Sequence, residues 1–461
     1  MSEQGEIRIH DTLSGQLCTL EPRDPGKIAI YACGPTVYSR IHVGNARPFV
    51  VFMLFKRLLE HEGFDVTLVI NVTDINDKIY VAARERGKPS QQLAREMTEA
   101  YLADTDRLGL GRPDAWPLAS EMIAPIVDLI RSLIDNGHAY ESGGDVYFSV
   151  RSFDEYGKLS NRRLDEMASV EQGEPDDLSD LKRDALDFAL WKAQKPDEDS
   201  SWPSPWGPGR PGWHIECSAM AEQLLGLDFD VHGGGSDLIF PHHENEIAQS
   251  EAARDRPLAR IWMHNGMVRF GEEKMAKSAG NIKSLGEALD EAGRDALILY
   301  FLTGHYRQPL AFNDDSLEQA RSSVERIRNL CRSVVDQTPG ADDPAVSELR
   351  DRFFAALRAD FNTPEAVASM FDLVNRANGG SVDLGAVRVA LGEMLGVFGL
   401  KNLLDAHEAA DVKAQQLADA REQARRERDF GRADELREEL AAMGYEVRDM
   451  PEGPTLVRID R

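Results

Sequence analysis

Four side chains that lie far apart in the sequence form a donor set suited to a tetrahedral zinc ion: two thiols, one imidazole and one carboxylate. Cys33 follows an apolar segment, and Cys217 lies within a GWHIECS segment at 212–218. His242 and Glu246 are four positions apart, so a helix would place both on one face. In zinc fingers the ligands occur as closely spaced pairs, and the spacing of these four residues differs from that pattern. We therefore expect one zinc ion that binds a small molecule, and a thiol would suit it.

Each of these residues also has a purely structural interpretation. Cysteine is among the most buried residue types, and a lone cysteine at the end of a strand is ordinarily part of a core. Cys18 and Cys331 lack polar motifs around them and are interpreted as packing residues. The motifs that flank the other two cysteines favour the metal.

A second segment could bind the phosphates of a nucleotide. The HVGN segment starts at His42, between a loop that contains Pro35 and a predicted helix at 45–59. A helix N-terminus offers unpaired N–H groups and a partial positive charge. Gly44 allows close approach to the backbone, and His42 can hydrogen-bond phosphate oxygens as charge develops on them.

A third segment, KMAKS, contains Lys274, Lys277 and Ser278. Two lysines three positions apart can form a basic loop that closes on phosphates. An exposed pair of charges is ordinarily only solvated. This pair of lysines, however, follows the second half of the predicted sheet, which is where we expect a second phosphate-binding loop.

The metal-binding and phosphate-binding segments can form one site only if the fold places the ends of their strands close together. A strand at 28–32, a helix at 45–59 and a strand at 65–72 predict one mononucleotide-binding half of a doubly wound sheet. Strand patterns return at 228–232 and 261–264. The predicted fold class is α/β: a Rossmann-type doubly wound parallel-sheet catalytic domain with an insertion, then an α-helical bundle and a small C-terminal mixed domain.

Composition shifts divide the chain into six predicted segments: 1–115, first half of the Rossmann domain; 116–205, connective insertion; 206–266, second half; 267–315, the region that contains KMAKS; 316–404, a helical bundle; and 405–461, a small C-terminal domain. Within them, we expect an acidic loop at 171–180 and an irregular Pro/Gly connector at 202–212. A charged helical hairpin at 405–443, with Gly431 at its middle, precedes a short β-hairpin-like tail at 445–459.

Bulk properties exclude several classes of protein. The 461-residue chain has a net charge of −26, so contact with a nucleic acid would need a local basic patch. The apolar run at 49–55 is too short to cross a membrane and ends at Lys56. Four scattered cysteines do not make a disulfide framework, and the polar N-terminus is unlike a signal peptide. We expect a cytoplasmic protein without a membrane partner.

The motifs carry a family resemblance. HVGN resembles the HIGH signature, and KMAKS resembles the KMSKS signature, of class I aminoacyl-tRNA synthetases. Within that class, the chain resembles the cysteinyl-tRNA synthetases from end to end. Four longer segments carry this likeness: YACGPTVY at 31–38, NVTDINDKI at 71–79, GWHIECSAM at 212–220 and HGGGSDLIFPHHENEIAQS at 232–250.

The resemblance implies a two-step reaction. L-cysteine and ATP, with Mg²⁺, form cysteinyl-adenylate and pyrophosphate, and the cysteine then passes to the 3′-terminal ribose of tRNA(Cys) with release of AMP. Zinc would distinguish cysteine from serine. The resemblance also implies that 267–315, with the KMSKS loop, and the bundle at 316–404 contact the tRNA stem, and that 405–461 binds the anticodon. Nothing in the sequence requires more than a monomer. The implied zinc ligands are Cys33, Cys217, His242 and Glu246. The implied catalytic residues, which also bind ATP, are His42, Lys274 and Lys277, and the other ATP-binding residues are Pro35, Gly44, Asn45 and Ser278. The implied amino-acid pocket contains Thr73, Trp213 and Asp237, and Asp237 would hold the amino group or the ribose.

The sequence departs from the family motifs at two positions, and two alternative functions remain open. Asn45 stands where HIGH has its second histidine, and Ala276 replaces the middle serine of KMSKS. His243 is off the helical register and is not assigned to the metal. One alternative is a ligase that attaches cysteine to an amino sugar in mycothiol synthesis, which would lack a full anticodon-binding region. The other is a non-catalytic tRNA-binding relative, in which damage to the phosphate motifs would be expected.

Overall fold

The computed structural model describes residues 5–164, 180–270, 273–274, 283–340, 342–404, 406–427, 429–450 and 453–458. The chain forms two compact units: Met1–Ser323 with Asp351–Ser369, and Val324–Arg350 with Met370–Arg461. The finer division into six segments stays a prediction. Among the described residues, no helix is both long enough and apolar enough to cross a membrane.

The strands, in chain order, are β1 (Arg8–Asp11), β2 (Gln16–Thr19), β3 (Lys27–Ala32), β4 (Asp65–Ile70), β5 (Ala139–Ser142), β6 (Asp145–Phe148), β7 (Phe188–Ala193), β8 (Gly209–Pro211), β9 (Phe229–Gly235), β10 (Ala259–Asn265), β11 (Val268–Phe270), β12 (Glu273–Lys274), β13 (Leu310–Phe312), β14 (Tyr445–Met450) and β15 (Gly453–Arg458). The helices are α1 (Val43–His61), α2 (Asp77–Glu85), α3 (Ser90–Asp106), α4 (Ile123–Asp135), α5 (Trp213–Leu225), α6 (Glu244–Arg254), α7 (Leu285–Ala292), α8 (Arg294–Leu302), α9 (Asp314–Val334), α10 (Pro344–Arg358), α11 (Thr363–Asn378), α12 (Leu384–Val397), α13 (Ala406–Arg426) and α14 (Phe430–Ala442).

A four-stranded sheet in the order β10-β9-β3-β4 forms the centre of the first unit. All of its neighbouring strands are parallel. Every residue of β9 is buried, as expected of a strand that is covered on both faces. The predicted α/β fold with a doubly wound parallel sheet is confirmed. Because parallel strands end at the same edge, Cys33, Asn71, Ser236 and Gly266 follow four strand ends that meet at one edge, which is where such sheets bind ligands.

The predicted insertion contributes β5, β6 and β7 to an antiparallel sheet in the order β5-β6-β7-β8, and the fourth strand, β8, lies just beyond the predicted boundary at 205. The expectation of an irregular connector at 202–212 was wrong for its last part, since β8 pairs with β7. Gly209 makes this pairing possible, because a Cβ there would overlap the Lys192 carbonyl. Residues 171–179 of the predicted acidic loop lie outside the described residues.

Helices dominate the chain after residue 313, as predicted. In the second unit, α13 and α14 form the expected hairpin, and Leu440 and Tyr445 join its small core. The placement of Gly431 at the middle of this hairpin was wrong, because it lies in the first turn of α14. The helix starts at this point because the Asp429 side chain caps it, accepting from the Arg432 N–H at 3.0 Å. The tail forms the antiparallel pair β14–β15.

Candidate active site

A cavity of about 470 Å³ opens at the carboxyl ends of β3, β9 and β10. Most of the predicted site residues with described side chains line it. These are Cys33, Pro35, His42, Gly44, Asn45, Trp213 and Asp237. Residues from both halves of the sheet therefore meet in one cavity, and the cavity is the candidate active site.

A buried cluster of metal-binding side chains lies at one end of this cavity. The donor atoms of Cys33, His242, His243 and Glu246 all lie within 4.8 Å of one another. The His242 Nε2 is 3.0 Å from Glu246 Oε1, and the Cys33 Sγ is 3.4 Å from the same oxygen. The predicted spacing of four therefore does place His242 and Glu246 side by side: His242 lies in the helical turn just before α6, and Glu246 lies in the first turn of α6.

The remaining predicted ligand, Cys217, lies in α5 and is buried. Its thiol interacts with both Cys33 and His242, although the group of four donors that lie within 4.8 Å of one another contains His243 instead. The His243 Nε2 lies 3.3 Å from Cys33 Sγ, a contact that sequence register did not indicate. The structure thus brings together the four predicted ligands and one additional histidine. The cluster could hold a metal ion.

Burial and mutual contact set the charges in this cluster. Burial raises the pKa of the Cys33 thiol well above its ordinary value. The contact with Cys33 lowers the pKa of Cys217 to about 6. Burial alone would disfavour charge on His242 and Glu246, but the attraction of Glu246 raises the pKa of His242 to about 10. His232 and His242 likewise overcome burial and hold the pKa of Glu246 well below its usual range.

The opposite side of the cavity is the N-terminus of α1. His42 is the N-cap of this helix: its Nδ1 accepts from the Asn45 N–H at 3.3 Å. In return, Asn45 Oδ1 accepts from the His42 N–H at 3.3 Å. This reciprocal pair is a capping box. It gives a local structural reason for asparagine at the position where the HIGH signature has histidine.

The second phosphate motif is described only in part. Lys274 lies at the end of β12, where its backbone pairs with Arg269 of β11. Ala276, Lys277 and Ser278 lie outside the described residues. Their predicted contact with phosphates therefore stays a prediction.

Comparison with known proteins identifies the family. A model of the class I (C) tRNA synthetase catalytic domain matches residues 19–322. A DALR domain model matches 352–402, and a cysteinyl-tRNA ligase anticodon-binding domain model matches 408–454. A cysteine–tRNA ligase of Symbiobacterium thermophilum is 44% identical, with 97% of this chain and 98% of that protein covered. One from Halorhodospira halophila is 46% identical, covering 97% of this chain and 98% of that protein.

The chain belongs to the cysteine–tRNA ligase family. It is therefore an enzyme of the class I aminoacyl-tRNA synthetases. The matches to cysteine–tRNA ligases extend through the anticodon-binding domain, so they do not favour the amino-sugar ligase.

Solved structures agree on the fold. Mycobacterium tuberculosis methionyl-tRNA synthetase in complex with methionyl-adenylate superposes with a TM-score of 0.61 at 16% identity, covering 85% of this chain and 94% of that chain. A leucyl-tRNA synthetase of Agrobacterium radiobacter in a ternary complex gives 0.63 at 12% identity, covering 84% of this chain and 85% of that chain. At these identities the likeness concerns the fold alone.

Three residues were predicted for the amino-acid pocket of this cysteine–tRNA ligase family member. Trp213 opens α5, and its ring stacks on His242 with centroids 4.3 Å apart. Asp237 follows β9 and lines the cavity. Thr73 is buried and is not among the lining residues. It lies one layer behind, where its N–H donates to the Pro35 carbonyl at 3.1 Å.

Sequence reasoning missed three histidines that support the cluster. His214 Nδ1 lies 2.8 Å from His242 Nδ1. His232 Nε2 lies 2.7 Å from Glu246 Oε2, and His264 Nε2 lies 2.7 Å from His243 Nδ1. The missed histidines lie within or beside the segments already singled out, so their position there was the available signal.

Proposed function

We propose that this enzyme joins L-cysteine to tRNA(Cys) in two steps and selects cysteine through a zinc ion held by Cys33, Cys217, His242 and Glu246. One observation carries the proposal. A single cavity is lined at one end by Cys33 of the buried donor cluster and at another by His42, at the N-terminus of α1. An amino acid with a thiol and a nucleotide with a triphosphate can therefore lie in one chamber.

The donor cluster fits a zinc ion. Two thiols and a carboxylate come together among buried side chains, and Glu246 has no exposed surface. Burying such acidic groups is costly unless a cation balances them. Two cysteines, a histidine and a carboxylate are ligand types that zinc accepts. The supporting histidines at 2.7 and 2.8 Å provide the outer hydrogen bonds that orient metal ligands.

A zinc ion would give the cavity a means of separating cysteine from serine. Cysteine and serine differ by one atom, and an apolar pocket separates such a pair by only about 10- to 200-fold. When bound, zinc stabilises a thiolate far better than a neutral hydroxyl. The chain's own contribution is to orient the substrate: the Trp213 ring stacks on His242 beside the cluster. We assign the amino group or the ribose to Asp237, and support of the pocket from behind to Thr73.

The first step forms an acyl-phosphate bond. An oxygen of the cysteine carboxylate attacks the α-phosphorus of ATP, and the bond from that phosphorus to the bridging oxygen breaks, so that pyrophosphate leaves. His42, Lys274 and Lys277 bind the phosphates as their charge develops, together with the N–H groups at the start of α1. Pro35, Gly44, Asn45 and Ser278 complete the ATP contacts, and Mg²⁺ enters with the ATP.

The second step needs only correct placement of the acceptor. A terminal ribose hydroxyl of tRNA(Cys) attacks the carbonyl carbon of the adenylate, and AMP leaves with the oxygen that bound it. No side chain has to act as a nucleophile, so binding and orientation supply the rate enhancement. The regions that match the DALR and anticodon-binding models would hold the tRNA. We place the enzyme in the cytoplasm as a monomer.

Cysteine charging tests this proposal. Purified protein with ATP, Mg²⁺ and total tRNA is expected to attach radiolabelled cysteine, and Lys277→Ala is expected to abolish the attachment. Arg131→Gln, which removes an exposed ion pair with Asp128 in α4, is the matched control and should charge at the wild-type rate. Cysteine-dependent pyrophosphate exchange without charging would indicate an acceptor other than tRNA. Absence of both activities would contradict the proposal.

A further inference from the structure

A buried arginine lies beneath the candidate active site. Arg47 is in the second turn of α1 and has no exposed surface. Its Nη1 donates to the carbonyl oxygens of Gly266 at 2.6 Å and Met267 at 3.3 Å. Its Nη2 donates to the carbonyl of His305 at 3.2 Å. Within the described part of the chain, this guanidinium is held by backbone carbonyls rather than by a carboxylate.

Burying a guanidinium group without a carboxylate partner lowers the stability of the fold, so a role for Arg47 is expected. A buried charge without an opposite charge is destabilising unless polar groups surround it. Burial lowers the pKa of Arg47 to about 10, so the side chain still carries its charge at neutral pH. Its three carbonyl partners come from two different segments, and a neutral side chain could not bind both as a planar fork does.

The first of these segments is a wall of the cavity. Asn265, Gly266, Met267 and Val268 all line it. The Asn265 Nδ2 also donates to the Gly266 carbonyl, at 3.1 Å. Its Oδ1 is buried and has no hydrogen-bond partner among the described residues. The wall therefore presents an unused acceptor next to the space that a ligand would occupy.

The second segment, residues 304–308, packs directly behind this wall. The Gly266 N–H donates to the Tyr306 carbonyl at 2.7 Å. A Cβ at Gly266 would overlap the backbone of Gln308, so the two segments touch as closely as glycine permits. Any displacement of 304–308 would move the wall with it.

Asp360 fixes the same segment from the other side. It accepts from the Tyr306 hydroxyl at 2.8 Å and from Arg307 Nε at 2.8 Å and Nη2 at 2.5 Å. It also accepts from the His10 N–H at 2.9 Å. Asp360 and the following Phe361 have φ values of 61° and 47°. Two successive non-glycine residues in the left-handed region are strained, and such strain persists only where surrounding contacts demand it.

We propose that Arg47 and Asp360 are positioning residues for the nucleotide, which hold segment 304–308 between them and thereby place the wall 265–268 against the nucleoside part of ATP. This inference rests on the proposed function. The donor cluster takes the amino acid and the N-terminus of α1 takes the phosphates, so the wall 265–268 is left for the nucleoside. Neither Arg47 nor Asp360 lines the cavity, so both act indirectly: Arg47 binds the backbone of the two segments, and Asp360 binds the side chains of Tyr306 and Arg307.

The test compares Arg47→Gln, Arg47→Lys and Asp360→Asn with wild type in cysteine-dependent pyrophosphate exchange. Arg358→Gln is the control, since it removes a 3.0 Å ion pair with Glu62 in the same unit. Misplacement of a binding wall by about 1 Å can cost up to 100-fold. We expect the KM for ATP to rise at least about tenfold in Arg47→Gln. Smaller rises should follow in Arg47→Lys, which keeps the charge, and in Asp360→Asn.

The proposal is decided by comparing the change in the KM for ATP with the change in the KM for cysteine. A positioning role for the nucleotide leaves the KM for cysteine and the bound metal within about twofold of wild type, below the tenfold effect of a lost contact. An unchanged KM for ATP in folded Arg47→Lys and Asp360→Asn would overturn the proposal. So would equal rises in both KM values, or loss of folding in all three variants. If wild type shows no exchange, the proposed function fails, and calorimetric binding of ATP to the same variants still decides the role of Arg47 and Asp360.

Discussion

The thiol of Cys33 lies 3.4 Å from the Glu246 carboxylate, although 213 positions separate the two residues. Cys33 follows a strand in the first half of the sheet, and Glu246 lies in α6, between the two strands β9 and β10 of the second half. Both side chains are buried. Two acidic groups in a dry site at this distance require a proton or a cation between them, and the neighbouring donors favour a metal cation.

Substitution of the proposed ligands should remove the metal. We expect Cys217→Ser and His242→Ala to purify without zinc, because each takes one of four ligands from a tetrahedral site. Metal content by atomic emission, on protein of equal purity, provides the measurement. Cys18→Ser is the matched control, since Cys18 is half-exposed and outside the cluster. Full zinc content in both ligand variants would contradict the assignment.

His243 should behave differently from His242. Its Nδ1 is engaged by His264 at 2.7 Å, and its position in the helix is off the register that pairs His242 with Glu246. We expect His243→Asn to bind zinc about 10- to 100-fold more weakly than wild type, as for a residue that supports ligands, whereas His242→Asn loses the site. Competition with a chromophoric chelator measures both affinities. The reverse order would make His243 the ligand.

Glu244 should stabilise the fold rather than the metal. This buried carboxylate accepts backbone N–H groups from Gly157 at 2.9 Å, Leu159 at 3.3 Å and Ser160 at 2.7 Å. Glu244→Ala leaves these donors unpaired, so the free energy of unfolding should fall by about 3–5 kcal/mol. Urea denaturation measures this change. Glu155→Gln, which removes an exposed ion pair with Lys158, should change it by less than about 0.5 kcal/mol; a similar loss in both variants would refute the anchoring role.

The stabilising contribution of the ion pair between Arg151 and Asp184 should decrease as the pH falls. The hydrogen bond from Arg151 Nε, at 2.5 Å, and that from the Leu186 N–H lower the pKa of Asp184 below its ordinary value. Because the folded pKa is lower than the unfolded one, this contribution is present above the unfolded pKa and is lost as pH falls through the folded pKa. We expect Asp184→Asn to cost about 0.5 kcal/mol at pH 7 and nothing near pH 2. A cost that grew toward acid pH would have the wrong sign.

The sequence predicted the elements that carry strong periodicity. The strand expected at 28–32 is Lys27–Ala32, and the helix expected at 45–59 is Val43–His61. Apolar runs reveal buried parallel strands because both of their faces are covered. The errors lie where tertiary pairing decides: Gly209–Pro211 becomes a strand only because a neighbouring strand is present to pair with it.

The candidate site was predictable in part for a similar reason. His242 lies in the helical turn Ile239–His243, which continues directly into α6, so the spacing of four placed it beside Glu246. The contacts of His214, His232 and His264 depend on how α5, β9 and β10 approach α6, which no local pattern encodes. The contacts of Arg47 with Gly266 and His305 likewise join positions 219 and 258 apart.

Discrimination between cysteine and serine tests the central claim most directly. Pyrophosphate exchange would be measured with each amino acid on the zinc-loaded enzyme, after chelation, and after zinc is restored. If zinc selects the thiol, the ratio of kcat/KM for cysteine over serine exceeds the roughly 200-fold limit of an apolar pocket, and cysteine activation is lost with the metal and returns with it. A ratio within that limit, or full cysteine activation by the metal-free enzyme, would contradict the account.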